Sequence, residues 1–94
     1  MSTLRLIFDL VSPTKTFLNN EVEYVNLPTT NGIIKIQPQH WATVIKLEAG
    51  NLEFLIKNNG DLPYYTIAEG IAHIYYADAN TTKCTVVTSE VIQC

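Results

Sequence analysis

Two histidines (His40 and His73), two cysteines (Cys84 and Cys94) and the carboxylates Glu21 and Glu23 are the side chains here that could carry chemistry. A cysteine beside a histidine can form an activated nucleophile. Cys84 has no local context for it, neither a nucleophile elbow nor a flanking run of oxyanion glycines. His73 alternates with Ile71 and Tyr75 and shares their strand face, where a packed, hydrogen-bonded histidine is expected. Two histidines 33 positions apart, with no CxxC, are a poor metal-ligand set. Glu21 and Glu23 share one strand face and are expected to meet water; a glycosidase-type acid pair would need a cleft, which the sequence does not show. The isolated glycines Gly32, Gly50, Gly60 and Gly70 form no phosphate loop and read as turn or bulge positions. No catalytic, cofactor-binding or metal-binding residue is therefore expected.

Binding chemistry is the remaining class. The six basic residues are scattered and the net charge is −3, which argues against nucleic acid. Tyr64, Tyr65, Tyr75 and Tyr76 could stack on bases or sugars, but they lack basic neighbours. Charged residues make up 16% against a usual ~25%, so the surface is more neutral and apolar than average and leans towards an interaction module. No apolar stretch approaches the ~20 residues that span a bilayer, and "MSTLRLIFDL" does not read as a signal peptide. Two free thiols in a reducing compartment are expected.

The elements that must position any binding residues are strands. Leu4, Leu6, Phe8 and Leu10 alternate with Arg5, Ile7 and Asp9. "SPTK" turns the chain, and Val22 and Tyr24 should face away from Glu21 and Glu23. Leu52, Phe54 and Ile56 form another inward row, followed by the hairpin signal "NNGD". "PYYTIAEGIAHIYY" reads as two strands around Gly70, or one strand bulged there. No segment has helical periodicity. The pattern predicts an all-β chain, a small antiparallel sandwich or flattened barrel of about 8–10 short strands. One domain over residues 1–90 is expected, with 91–94 as a tail.

The stretch "LPTTNGIIKIQPQH" stands out. Asn31-Gly32 is a tight-turn pair, and Pro28 and Pro38 bracket Ile33, Ile34 and Ile36. Adjacent Ile33 and Ile34 point to opposite faces of a strand, so the three cannot all be buried.

Taken in order, Val11-Ser12-Pro13, then Val25, Leu27, Pro28, Thr29 and Gly32, then Pro38-x-His40, then Leu47 with Gly50, resemble the amino-terminal β-sandwich domain of the epsilon subunit of the F-type ATP synthase. The chain departs from that family's pattern at Lys35 and at Gln39, both usually glycine, at Gln37, commonly leucine or tyrosine, and at Glu69-Gly70, usually a glycine pair. The resemblance implies a non-catalytic rotor subunit that couples the gamma subunit to the membrane c ring, so that proton-driven rotation powers ATP synthesis. It places Asn31, Ile33 and Ile34 against the c ring, and Ser12 and His40 against gamma. It implies a peripheral position on the cytoplasmic face of a bacterial inner membrane, with no direct insertion. The family's helical hairpin is not found before Cys94, so no nucleotide binding is expected. A free-standing sandwich binding a small ligand or carbohydrate through its tyrosines is the alternative.

Overall fold

The alternating apolar rows form nine strands in the computed structural model, which describes residues 4–57 and 64–92. They are β1 (Arg5–Ser12), β2 (Lys15–Thr29), β3 (Gly32–Ile36), β4 (Thr43–Leu47), β5 (Gly50–Ile56), β6 (Tyr64–Ile67), β7 (Gly70–Asp78), β8 (Thr81–Thr88) and β9 (Val91–Ile92). The strands hydrogen-bond in the order β4-β7-β8-β1-β2-β5-β6-β9, with β3 added to β2. All pairings are antiparallel except that of β1 with β8. No helix occurs among the described residues, and the expected all-β fold is the one observed.

The long strand β2 links the two parts of the sheet. Its first half, Lys15 to Val22, pairs with β1, and Val25 to Thr29 pair with β3. β5 lies along Val22 to Asn26, with a register shift between Val22 and Tyr24. Such a bulge bends the strand and resets its alternation. Val22, Val25 and Leu27 are all buried as a result, although no single period-2 row contains them. Tyr24, expected to share the face of Val22, is instead half-buried, with the Lys35 ammonium 4.4 Å from its ring centroid.

Leu6, Phe8 and Leu10 of β1 are fully buried, as are Leu52 of β5, Ile74 of β7 and Val86 of β8. Phe8 and Phe54 meet at the centre, ring centroids 5.1 Å apart and tilted. Burial of one such side chain contributes roughly 1.5–3 kcal/mol, so this interior carries the stability of the fold. Leu4, expected to extend the row, is half-exposed. Two separate strands flank Gly70, and Val91 and Ile92, read as tail, pair with β6 as β9. The "NNGD" turn and Cys94 lie outside the described residues.

Candidate functional site

The isoleucine-rich segment forms the β2–β3 hairpin, with Thr29 opposite Gly32 and Thr30-Asn31 at the tip. Gly32 takes a φ of 105°, the conformation that glycine alone adopts cheaply. The Thr29 hydroxyl donates to the Gly32 carbonyl at 2.7 Å and accepts from the Asn31 N–H at 3.2 Å. A second set of contacts fastens the hairpin to the corner between β4 and β5. There the Glu48 N–H donates to the Pro28 carbonyl at 3.0 Å, and the Thr30 hydroxyl donates to the Glu48 carboxylate at 3.3 Å. On this fixed hairpin the three isoleucines separate. Ile33 is 65% exposed, Ile34 is half-buried against the core, and Ile36 is fully buried. Asn31 is exposed at the tip.

Ser12 lies at the same end of the molecule. Val11 pairs with Val87, Thr88 with Gly70, and Gly70 with Leu47, the residue before Glu48. The half-buried Ser12 hydroxyl donates to the Lys15 carbonyl at 3.4 Å across the β1–β2 turn.

His40 is at the opposite end, before β4 begins, so it does not come together with Ser12. The corner that presents it is built on Gln39, the one non-glycine residue with positive φ, 72°, among those described. The Gln39 N–H donates to the Thr82 hydroxyl at 2.9 Å, its side-chain amide to the Ala79 carbonyl at 3.2 Å, and the Tyr76 hydroxyl donates to the Gln39 carbonyl at 3.4 Å. His40 Nδ1 donates to the Trp41 carbonyl at 2.9 Å, and its ring lies 4.4 Å from the indole. Trp41 is 70% exposed.

Sequence reasoning missed the outer face of β4, β7 and β8. Val44, Ile71 and Val87 are exposed there, and an open groove of about 530 Å³ runs over Gly70 between Lys46, Glu69 and Ser89. The signal was present in the outward positions of "TVIKL", "GIAHI" and "TVVT". His73, expected to be packed and hydrogen-bonded, is exposed on this face and meets only the Tyr75 ring, tilted at 33° with centroids 4.7 Å apart, because the row it shares with Ile71 turns outward. Two strands along the sheet, past Thr85, Asp9 is nearly buried, accepting from the Asn19 amide and from the Thr85 hydroxyl at 3.3 Å, with Lys83 at 3.8 Å.

The remaining reactive groups stay apart. Glu21 is bridged to Lys57 at 3.0 Å and Arg5 at 3.6 Å; the Lys57 hydrogen bond above all holds its carboxyl below the usual range. Burial, with a smaller contribution from Asp9, pushes the Cys84 thiol up to about 12. Among the described residues no three of His, Cys, Asp and Glu come close enough to hold a metal ion. The tyrosines do not converge either: Tyr65 turns inward and stacks parallel to Phe54 at 6.2 Å, while Tyr76 is tied to Gln39.

A family model described as ATP synthase, Delta/Epsilon chain, beta-sandwich domain matches residues 5–93. An ATP synthase epsilon chain of Elusimicrobium minutum is 32% identical over 72 residues, which cover 76% of this chain and 52% of that one. One from Lawsonia intracellularis is 31% identical over 83 residues, covering 88% and 57%. The chain thus spans little more than half the length of these curated relatives. Among solved structures, a chain in the Euglena gracilis mitochondrial ATP synthase, OSCP/F1/c-ring in rotational state 1, superposes with a TM-score of 0.80 at 23% identity, covering 98% of this chain and 56% of that one. A chain in the central stalk/c-ring of the Tetrahymena thermophila mitochondrial ATP synthase gives 0.70 at 21%, covering 99% and 69%. At these identities the structural likeness is one of fold.

Proposed function

The chain belongs to the ATP synthase delta/epsilon family through its β-sandwich domain, and from that premise we propose that it is a non-catalytic rotor subunit that couples a gamma-type stalk subunit to the membrane c ring. Ile33 carries the reading. An apolar side chain 65% exposed beside the tip of a hairpin with a fixed backbone is what a docking contact requires. Asn31 and Ile33 meet the c ring, with Ile34 anchoring the hairpin behind them, and Ser12 and His40 lie against gamma. The chain sits peripherally on the cytoplasmic side of a bacterial inner membrane, held there by its partner subunits.

The physical demand on such a joint is torque without slip. Each elementary charge crossing 100 mV delivers about 2.3 kcal/mol. With several ions per ATP, the contact must hold against roughly ten kcal/mol, which a standard interface of ~1,200–2,000 Å² with a few strong anchors can supply.

Ile33→Glu is the discriminating variant. It places a charge on an exposed site, so the isolated domain should melt like the wild type. ATP-driven proton pumping in membrane vesicles should fall while ATP hydrolysis continues. Ile34→Glu tests less cleanly, because Ile34 also packs on the core. Normal pumping by complexes carrying Ile33→Glu would remove the hairpin from the coupling interface.

A further inference from the structure

We propose that the Gln39–Trp41 corner is a preorganised anchor for the gamma-type stalk subunit. Trp41 enters an apolar pocket of that partner, and the recess beside it takes a lysine or arginine side chain from the same partner. The inference rests on the rotor reading above and assigns it two side chains, Trp41 and Asp78, outside the contacts already named.

Trp41 is the chain's only tryptophan and the most exposed large apolar side chain among the described residues. Interface residues that carry most of the binding energy are enriched in tryptophan, tyrosine and arginine. The corner is also held in a conformation that a lone loop would not adopt. A left-handed glutamine is costly and persists only where its surroundings over-determine it. Here Gln39 is tied through backbone N–H, side-chain amide and carbonyl to Thr82, Ala79 and Tyr76. The His40 N–H donates to the Gln37 carbonyl at 3.1 Å and closes the turn, while the His40 ring leans on the indole at a tilt of 32°. Little ordering remains to be done on binding, and that is how a small contact gains affinity.

Next to this knob lies a recess of about 340 Å³ lined by Gln39, Tyr76, Asp78 and Ala79. The Asp78 carboxylate is pinned by the Asn80 N–H at 2.8 Å. A fixed carboxylate beside a half-exposed tyrosine ring suits a cationic side chain, through charge-assisted hydrogen bonding and the ring face. An anionic lipid surface fits poorly. Arg5 is near enough for its charge to act on Asp78, but neither the segment 37–45 nor the segment 68–82 contains a lysine or arginine of its own, whereas such surfaces recruit clusters of basic residues.

The test uses the purified chain and the purified gamma-type subunit of the same ATP synthase. Trp41 is the chain's own reporter, read as the difference between wild type and a Trp41→Phe chain. On titration with gamma its emission should shift to the blue and become protected from acrylamide. Trp41→Ala should weaken binding by about tenfold or more, and Asp78→Asn should weaken it and flatten its salt dependence. If wild type binds gamma with unchanged Trp41 emission, and Trp41→Ala binds equally well, the anchor assignment is wrong while the rotor reading stands. If wild type does not bind gamma at all, the rotor reading fails and takes the anchor with it. A blue shift on vesicles of anionic phospholipid without gamma would overturn the assignment in favour of a membrane contact.

Discussion

Gly70 is the position where the fold leaves least room, and Gly70→Ala is the substitution that measures it. A Cβ built there would stand 2.4 Å from the Val87 carbonyl oxygen, 3.0 Å from Thr88 Cα and 3.2 Å from Thr88 Cβ. Real Cβ atoms essentially never come within 3.0 Å of a neighbour, so β7 and β8 must part by at least 0.6 Å, the difference between 3.0 and 2.4. None of these three atoms is the end of a flexible side chain; the closest two are backbone atoms of the paired strand. Parting the strands also strains the knot at Thr88, whose hydroxyl lies 3.0 Å from the Ala68 carbonyl and 3.1 Å from those of Glu69 and Glu90. Overpacking of this kind costs about 1–3 kcal/mol. Loss of unfolded-state freedom on going from glycine to alanine returns about 0.4–1 kcal/mol. The collision wins, and the net loss is about 1–2 kcal/mol. For a domain of this size that lowers the melting temperature by roughly 5–15 °C. Thermal and urea unfolding, followed by far-UV circular dichroism with an unchanged m value, give the measurement. A Gly70→Ala chain as stable as the wild type would show that β7 and β8 are not held at the spacing described.

Gln39→Gly should raise stability by about 0.5–1 kcal/mol in the same urea assay, because relief of the left-handed backbone outweighs one exposed side-chain hydrogen bond. Glu21 has its carboxyl held below the ordinary value by Lys57 and Arg5, so its contribution is present above the unfolded-state pKa and is lost as pH falls through the folded one. Glu21→Gln should therefore be less stable than wild type at pH 7, with the gap closing in acid; a gap independent of pH would contradict this. Cys84, buried with its thiol pushed up to about 12, should resist thiol reagents at pH 8. A thiol titration should then find at most one reactive group in the native chain and two in denaturant.

How far the sequence reveals the fold depends on how local the cause is. The row Leu6, Phe8, Leu10 is legible because alternation in one strand reports one buried face. The bulge after Val22 is not, because the extra residue answers to the pairing with Leu55 and Ile56 of β5, more than 30 positions later. Ile33 and Ile34 could be assigned to opposite faces, but which one faces out was set by the pairing with Pro28 and Leu27. His73 has the expected strand neighbours but not the expected burial, since Ile71 looks like core in sequence while β4 is a sheet edge whose outer face is open. Of the glycine pair its family usually carries there, the chain keeps Gly70, the one that meets the backbone of β8. Gln39 keeps the left-handed backbone that a glycine would take freely, and the cross-links that allow it come from β7, β8 and the turn between them, 37 to 43 positions away. The contacts proposed for Ser12 and His40 would depend on a partner's surface, which no single chain's sequence encodes.

The separation of the two ends bears on how a rotor joint would work. The hairpin with Ile33 is fastened to Glu48, and the aromatic corner with Trp41 precedes Thr43. Between them runs β4, five residues that span about 16 Å. Ser12 would give gamma a contact at the hairpin end as well, so the force that crosses the domain is the part passed to the His40 corner, along this strand and its β7 partner, through an interior that closes on Leu47, Ala72 and Ile74. A close-packed interior has low compressibility, so a shear applied at the hairpin is transmitted rather than absorbed. Under the rotor reading, stiffness between the ends matters as much as affinity at either one. Core truncation at Ile74 should then degrade coupling even where both docking surfaces are intact. An Ile74→Ala chain, destabilised by about 2–5 kcal/mol yet still folded at assay temperature, should bind gamma normally and pump protons less efficiently per ATP. Full pumping efficiency in that variant would mean that torque does not pass through this interior.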